Sequence, residues 1–391
     1  MKHYKTSTLI LILAPFVFSF AFGLDIYVPI VPEMKVLFHT SQANIQLTLS
    51  LFLLTAGVGQ LFVGPLSDQI GRYRAMLFSC CFFIIGSAAC ALAPNITVLV
   101  IARVVCAFGT CGMLAVAFAI IRDMYSGDEG AQLYSFLNGA IGVSPTFAPI
   151  IGGYLAVWLG WSAVFWFLVG LGALALILTK LTITETLPMK KRVPFDFAIF
   201  KRYWGIFTNR QFLRYGLFAG FGITVFFCFF SVSPFIIIKL LHVSVEHFGY
   251  YFAIFGIVIA MGSVVSGKVV VKIGIEHTIK IGLILIFIGG ILMLAWYQLY
   301  GLSLTSFMVT TVIACVGAAF FVGPAASGAL EPFGHIAGTA SATLGCTQFT
   351  ISAVIGTIMM HWPVTSSMSY AICILIVAVL ALINYIFTKV N

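Results

Sequence analysis

Long apolar segments follow one another along the whole chain, and they limit its possible folds more than any other feature. Each is long enough for a helix that crosses a bilayer, which requires about 20 apolar residues. Only 8% of the 391 residues are charged, a composition typical of membrane proteins. The twelve segments cover residues 8–32, 46–66, 75–94, 96–121, 132–157, 162–183, 212–238, 247–271, 278–298, 303–326, 335–361 and 366–388. The pattern predicts an all-α integral membrane protein with twelve transmembrane helices.

The longest polar interval lies near the middle of the chain, at residues 185–211, and leaves six apolar segments on each side. We therefore predict an N-terminal six-helix half at 1–184, a cytoplasmic linker at 185–211 and a C-terminal six-helix half at 212–391. Two parallel six-helix halves are an arrangement found in secondary transporters.

A weak internal repeat supports the division into two halves. Gly64 and Gly71 bracket the loop after the second apolar segment, and Gly267 and Gly274 bracket the loop after the eighth at the same separation. A basic residue follows or lies within each pair. In the second copy, a valine replaces the aspartate of the first.

Small residues at a spacing of seven lie on one face of four predicted helices. They are Ser50, Gly57 and Gly64; Ser135, Gly142 and Pro149; Gly249, Gly256 and Ser263; and Gly338, Gly345 and Ser352. Because small side chains let helix backbones approach closely, we expect these faces to be helix contacts. The chain contains 37 glycines, so a chance arrangement is the alternative.

The net charge is +9, and its distribution indicates membrane topology rather than a nucleic-acid partner. If the N-terminus is cytoplasmic, seventeen Lys and Arg residues lie on the cytoplasmic side and two, Lys35 and Lys239, on the outer side. This bias predicts a multi-pass protein with both termini in the cytoplasm, its basic residues facing anionic lipid. The basic and then apolar N-terminal stretch is interpreted as an uncleaved first span rather than a signal peptide.

Two charged residues lie within spans, where a charge costs about 2.5–3.5 kcal/mol on insertion scales. Asp25 is about seven residues from the outer end of the first span, and Arg103 about eight from the outer end of the fourth. At 1.5 Å per residue, both lie roughly 10–12 Å below the outer surface. Burial stabilises a neutral acid, whereas a nearby arginine stabilises its carboxylate, so we predict a proton site. A fixed ion pair that only joins two helices is the alternative.

Four further side chains are candidates for the lining of a substrate cavity: Tyr27, Phe226, Phe230 and Gln348. Cavities that bind small molecules combine aromatic walls with a few polar groups. Each residue also has a structural interpretation. Tyr27 can be an interfacial tyrosine, the two phenylalanines can pack in the core or against lipid, and Gln348 can form an ordinary hydrogen bond between helices.

Glycine and proline are concentrated in the fifth span, at Gly142, Pro145, Pro149, Gly152 and Gly153. Proline removes a helical N–H group and bends the helix. The stretch predicts a bent, closely packed helix at a moving interface, with a static kink as the alternative.

The chain lacks the common motifs of nucleotide hydrolysis and catalysis. It contains no G-x-x-x-x-G-K-[ST], no G-x-S-x-G and no H-E-x-x-H. Its nine cysteines all lie in apolar segments, without C-x-x-C or metal-ligand spacing. We therefore predict no enzyme activity, no metal site and no cofactor.

The loop "GPLSDQIGRYR" resembles the signature loop between the second and third spans of the major facilitator superfamily. The matching residues include Gly64, Asp68, Gly71 and Arg72, and Arg74 is displaced by one position from the usual second basic residue. The resemblance implies a conformational latch, in which the acid and the arginine join the two halves when the transporter opens outward.

Other stretches resemble the twelve-span drug:proton antiporters and their bicyclomycin/chloramphenicol-resistance branch. They are Arg103 to Gly109, in which Cys106 replaces the usual glutamine, Gly142 to Gly153, "DIYVPIVPEM", "IIRDMY" and "EPFGHIAGTASATLG". By this resemblance, Asp25 is the proton-coupling carboxylate and Arg103 its partner.

The resemblance implies a monomeric antiporter of the bacterial inner membrane that exports small lipophilic compounds in exchange for protons. Its only coupling partner would be the proton, and alternating access of the two halves would move the substrate. A transporter of one specific metabolite is the first alternative. A non-transporting membrane receptor built on the same fold is the second.

Overall fold

The computed structural model describes residues 6–125, 127–192, 196 and 198–388. Eleven long helices have the length and apolar composition of membrane spans, and one of them is two spans merged. They are Thr6–Asp25, Gln42–Ile70, Arg72–Ala91, Ile96–Met124, Gly127–Leu159, Ser162–Thr182, Arg210–Pro234, Val245–Tyr300, Leu304–Leu330, Ala337–Met359 and Met368–Phe387. Gly274 divides the longest of them into 245–273 and 275–300. We call the resulting helices spans one to twelve. Their number and their helical structure confirm the predicted all-α architecture.

Short elements connect some of the spans. They are the 3₁₀ helices Val28–Ile30, Met189–Lys191 and Glu331–Ile336, the α-helices Val31–Leu37 and Ala198–Phe207, and the π-helix Phe235–Leu240. The part of the chain that the structure describes contains no β-strand. The lysines of residues 1–5 and 389–391, counted in the predicted charge bias, lie outside the described residues.

Span one has its predicted extent but is not one regular helix. The apolar pattern predicts a segment at 8–32, which lies within the apolar helical stretch 8–37, but the regular α-helix ends at Asp25 and a 3₁₀ turn begins at Val28. Pro29 explains the earlier end, because a proline has no N–H for the carbonyl four residues before it and its ring clashes with that carbonyl. The carbonyl concerned is that of Asp25. The other predicted boundaries lie within five residues of the observed helix ends or of Gly274.

The predicted internal repeat corresponds to two similar backbone junctions. Gly71, between spans two and three, has φ +96° and ψ 154°, and Gly274, between spans eight and nine, has φ +81° and ψ 169°. This region of backbone space is accessible almost only to glycine. The same type of turn therefore follows the second span of each six-span group.

Two helix pairs form the largest contacts between the N-terminal and C-terminal spans in the described part of the chain: spans two and eleven, and spans five and eight. A Cβ atom at Gly57 would lie 2.9 Å from Phe349, and one at Gly249 would lie 2.6 Å from the backbone of Ile150. These positions confirm the expected close approach of small-residue faces. At Gly64 and Gly142, by contrast, a Cβ atom would have no neighbouring atom within 4 Å among the described residues.

The helix Ala198–Phe207 packs against the end of span two that leads into the Gly71 loop. The Tyr203 hydroxyl donates a hydrogen bond to the carbonyl of Leu61 at 2.9 Å, and the rings of Phe200 and Phe62 lie 5.9 Å apart. Burial raises the pKa of Tyr203 to about 12. The polar interval is thus partly packed on the spans, while the limits proposed for the two halves stay a prediction.

Candidate functional site

Asp25 is buried within the N-terminal group of spans, with 4% of its surface exposed. It is the last residue of the helix of span one. Its Oδ2 atom accepts a hydrogen bond of 2.9 Å from the Ser144 hydroxyl of span five. Asp25, which was predicted to be functional because a charge within a span is costly, therefore lies at a contact between two spans.

Arg103 of span four is completely buried and binds the backbone of neighbouring spans. Its Nη1 donates to the carbonyl of Gly23 at 2.6 Å, and its Nε donates to the carbonyl of Thr48 at 3.2 Å. The guanidinium carbon lies 4.2 Å from the ring centre of Phe52, at cation–π distance. Its Nη2 is buried without a hydrogen-bond partner among the described residues.

Asp25 and Arg103 do not form an ion pair within the described part of the chain. The four ion pairs found there involve other residues. Arg103 instead contacts the carbonyl two residues before Asp25. In this conformation the arginine fixes the backbone of span one, and its role as the partner of the carboxylate stays a prediction.

Tyr27 lies beside Arg103 rather than in an open cavity. It is fully buried, its hydroxyl accepts a hydrogen bond from Thr48 at 3.2 Å, and its ring lies 5.5 Å from that of Phe165. The Arg103 guanidinium lies 4.9 Å from its ring centre. The tyrosine therefore belongs to the packing around the buried arginine.

The other candidate cavity residues lie among the C-terminal spans. Phe226 and Phe230 are buried, and both rings pack against Phe255 of span eight, at 5.8 and 5.5 Å. Gln348 is half-buried in span eleven. The structure does not bring the four candidates into one site, and their role in binding a substrate stays a prediction.

A half-open apolar cavity of about 260 Å³ lies beside the Ser144 contact, and two of its wall residues, Phe147 and Phe167, are exposed at the surface of the helix bundle. It is lined by Phe18, Phe22, Ser144, Phe147, Phe167 and Leu171, which belong to spans one, five and six. None of the four predicted cavity residues is among them. The cavity was not predictable from the sequence, because its walls come from three separate apolar segments.

The Gly71 loop forms a charged cluster around a buried arginine. The Arg72 side chain is 2% exposed and pairs with Asp68 at 2.5 Å and with Asp123 of span four at 2.9 Å. Its Nη1 also donates to the Ser67 hydroxyl at 2.5 Å. Arg74 is exposed on the same helix. These contacts join spans two, three and four.

A second acid reaches the same loop from the interval after span six. Oε1 of Glu185 accepts a hydrogen bond from the Arg72 backbone N–H at 2.8 Å, and its Oε2 pairs with Arg192 at 3.0 Å. The first N–H groups of a helix lack partners within the helix, and Glu185 satisfies one of them. Asp123 and Glu185 were not predicted as partners of this loop because they are distant from it along the chain, although Asp123 lies within "IIRDMY".

These loop contacts all lie within the N-terminal group of spans and the interval that follows it. Near the predicted cytoplasmic end, the N-terminal and C-terminal groups of spans meet where Arg122 lies beside Gly338 and Gln60 beside Gly345. A side chain on either glycine would overlap the facing residue. The expected latch between the two halves therefore stays a prediction.

Span five contacts both span one and span eight through its glycine–proline motif. It is one continuous helix through Pro145 and Pro149. A Cβ at Gly152 would overlap the carbonyl oxygen of Ile26, and one at Gly153 would lie 2.7 Å from the carbonyl oxygen of Val245. The two adjacent glycines thus let span five pass between two neighbouring backbones.

Hydrogen bonds also join the two groups of spans at the predicted outer end. The Gln46 side chain donates to the Ser231 hydroxyl at 2.6 Å, and the hydroxyls of Tyr154 and Tyr250 lie 2.8 Å apart. These contacts connect spans two and seven and spans five and eight. These hydrogen bonds were not predicted, because the sequence around an isolated polar residue near a span end does not indicate its partner.

Comparisons with known proteins agree with this architecture. The family model described as Major Facilitator Superfamily matches residues 13–357. A chloramphenicol resistance protein of Pseudomonas aeruginosa is 30% identical over 370 residues, covering 92% of this chain and 87% of the relative. A bicyclomycin resistance protein homolog of Haemophilus influenzae is 29% identical, covering 91% and 90%.

Solved structures show the same fold at low sequence identity. A bacterial homolog to the human lysosomal transporter Spinster, in an inward-facing and unoccupied conformation, has a TM-score of 0.73 at 18% identity, covering 98% of this chain and 95% of that one. The family match makes the protein a transporter and not an enzyme. The chain belongs to the Major Facilitator Superfamily, and its relatives place it with the bicyclomycin/chloramphenicol-resistance branch.

Proposed function

We propose that this protein exports small lipophilic compounds across the bacterial inner membrane in exchange for protons. The buried Asp25, hydrogen-bonded across two spans to Ser144, is the observation that carries the proposal. An acid inside the membrane domain is costly and marks a proton or substrate pathway. The resistance functions named for the relatives support drugs as substrates.

In this mechanism, a proton that enters from outside binds Asp25 and displaces the substrate. The two groups of spans then rock against each other at the contacts of spans two with eleven and five with eight. The membrane potential adds about 2.3 kcal/mol per charge per 100 mV if the cycle moves net charge. The proton is the only coupling ion, and the transporter works as a monomer with both termini in the cytoplasm.

Residues 1–184 and 212–391 are the two moving halves, connected by residues 185–211. The Arg72 cluster keeps the first half together at the cytoplasmic end, and its acid and arginine act as the latch when the outer end opens. The outer contacts Gln46–Ser231 and Tyr154–Tyr250 would have to break during that opening.

The test uses inside-out membrane vesicles with an acid-inside proton gradient and a fluorescent pH probe. Chloramphenicol, bicyclomycin and other lipophilic drugs are added to wild type, to Asp25→Asn and to Glu33→Gln. Glu33 is an exposed acid on the short helix after span one, so its variant is a matched control. Wild type and the control are expected to discharge the gradient, and Asp25→Asn is not.

The other outcomes decide between the alternatives. Discharge by a single metabolite and by none of the drugs would favour a specific metabolite transporter. Absence of any substrate-linked proton flux in wild type would favour a receptor. Full activity of Asp25→Asn would remove Asp25 from the coupling mechanism.

A further inference from the structure

Ser144 forms the direct side-chain contact between the buried acid and span five. Its hydroxyl donates to Oδ2 of Asp25 at 2.9 Å, and only 1% of the serine is exposed. A hydrogen bond donated to an ionised group is stronger than one between neutral groups. The strength of this contact therefore depends on whether Asp25 carries a proton.

The ionisable groups around Asp25 leave Ser144 as its bonded partner. Arg103 of span four contacts the Gly23 carbonyl rather than the carboxylate, and Tyr27 bonds to Thr48. Span six contributes aromatic rings on this side, such as Phe167, which lines the same cavity as Ser144. Glu246 is the charged residue at the start of span eight, beside Gly153.

Span five is deformable directly beside this serine. Pro145 follows it and Pro149 lies one turn later, so the carbonyls of Ile141 and Pro145 lack their usual helical N–H partners. Helices bend most readily at such positions. A change of the bond to Ser144 therefore acts where span five resists bending least.

The opposite face of span five contacts the C-terminal group of spans. Thr146 and Ile150 lie about 200° and 240° around the helix from Ser144, at about 100° per residue. A Cβ at Gly256 of span eight would lie 2.6 Å from the Thr146 hydroxyl, and one at Gly249 would lie 2.6 Å from the Ile150 backbone. One helix thus touches the acid on one face and the other half on the opposite face.

We infer that Ser144 is a positioning residue that transmits the protonation state of Asp25 to span five and to its contact with span eight. The inference rests on the proposed proton coupling. It assigns a residue of the span-five stretch to the acid of span one. Ionised Asp25 accepts a strong hydrogen bond and draws span five towards span one, and the neutral acid releases it.

The first experiment follows the protonation of Asp25 by infrared titration of the protein in lipid vesicles. The carboxyl C=O band of Asp25 is identified by its loss in Asp25→Asn. Ser144→Ala removes a donor that stabilises the carboxylate, so the titration midpoint is expected to move to higher pH by about one unit. Ser144→Thr retains a hydroxyl and should titrate near wild type. Ser135→Ala, an exposed serine on the same helix, is the matched control.

The second experiment measures transmission by hydrogen exchange at one pH. Asp25→Asn mimics the neutral acid and should change the protection of span five in the wild-type background. In the Ser144→Ala background the same substitution should change it much less, as coupled residues behave in a double-mutant cycle. Equal changes in both backgrounds, or an unshifted midpoint in Ser144→Ala, would overturn the inference.

The two proposals fail separately. A shifted infrared midpoint without any substrate-linked proton flux in wild type would support the Ser144–Asp25 link and reject proton antiport. The pH dependence of drug-linked proton flux is compared between wild type and Ser144→Ala. If wild type shows this flux, and the flux falls towards acid pH at the same pH in both proteins, the result would support antiport and reject the role of Ser144.

Discussion

The loop after span two and the loop after span eight share a backbone turn but differ in their charges. Gly71 and Gly274 have nearly the same positive φ angles. Arg72 follows the first glycine and is surrounded by Asp68 and Asp123. In the second loop, an isoleucine follows the glycine, and Val271 is 85% exposed at the position of the aspartate.

The second loop has its own ion pair, built from other positions. Glu276, two residues after the glycine, pairs with the buried Arg214 of span seven at 2.9 Å. The first loop joins spans two, three and four and the interval after span six, whereas the second joins spans nine and seven. The repeat thus retains the turn and not the electrostatics, and we expect the loss of charge to matter most in the first loop.

Among the side-chain changes in the two loops, Arg72→Ala is expected to have the largest effect. It removes the partner of two carboxylates, one of which, Asp123, is 14% exposed. Breaking a buried ion pair from one side destabilises by about 3–5 kcal/mol, and the exposed Asp68 places the expected loss near the lower end. Thermal unfolding in detergent measures the loss, with Arg74→Ala as the control because Arg74 is an exposed arginine two residues away. Equal unfolding temperatures for the two variants would contradict this account.

The two glycines allow a direct comparison of the loops. Alanine at either position meets backbone strain of about 1–3 kcal/mol. At Gly71 the methyl group would also overlap Glu185 and Arg192, whereas at Gly274 no atom of the described residues lies within 4 Å of it. Gly71→Ala therefore also disrupts the hydrogen bond that the Arg72 backbone N–H donates to the Glu185 carboxylate. A hydrogen bond to a charged group is worth about 1.5–3 kcal/mol.

We expect Gly71→Ala to be less stable than Gly274→Ala by about that amount in the same unfolding measurement. Glu185→Gln provides the second arm, because it weakens the bond without backbone strain. If both glycine variants lose the same stability, the acid from the interval after span six does not support the first loop.

The spans and the paired turns were predictable from the sequence because they depend on local patterns. Apolar length defines each span, and the glycine pairs at equal separation indicated both junctions. Asp25 and Arg103 were found because charge is costly inside the membrane. The extent of span one also follows the apolar pattern, whereas the break of its regular α-helix at Asp25, ahead of Pro29, is a detail that the pattern does not contain.

The partners of these residues were not predictable, because they depend on tertiary packing. Ser144 lies 119 residues from Asp25, and Glu185 lies 113 residues from Arg72. The sequence around a serine in an apolar segment does not indicate whether its hydroxyl bonds to another helix or to its own. Other serines of this protein bond to their own helix, such as Ser79, which donates to the Ala75 carbonyl.

Glu276→Gln is expected to have a smaller effect than the Arg72 and Gly71 variants. The Glu276 side chain is 45% exposed, so its pair with Arg214 is screened by solvent and worth about 1 kcal/mol or less. Arg214 also retains its place between the rings of Tyr215 and Tyr385, at 5.7 and 5.6 Å. Unfolding at low and high salt tests the assignment, since the difference from wild type should decrease with salt. A loss as large as that of Arg72→Ala would make the two loops equivalent.

Val271→Asp is expected to have the smallest effect, although it restores the acid of the first loop. In that loop the acid pairs with an arginine four residues later, on the far side of the glycine. The corresponding residue in the second loop is Ile275, so an acid at 271 finds no basic residue four positions later. At a highly exposed site the change should remain within about 0.5 kcal/mol in thermal unfolding. A clear gain in stability would mean that the acid alone makes such a loop stable, and the difference between the two loops would then lie in one residue rather than in the buried arginine.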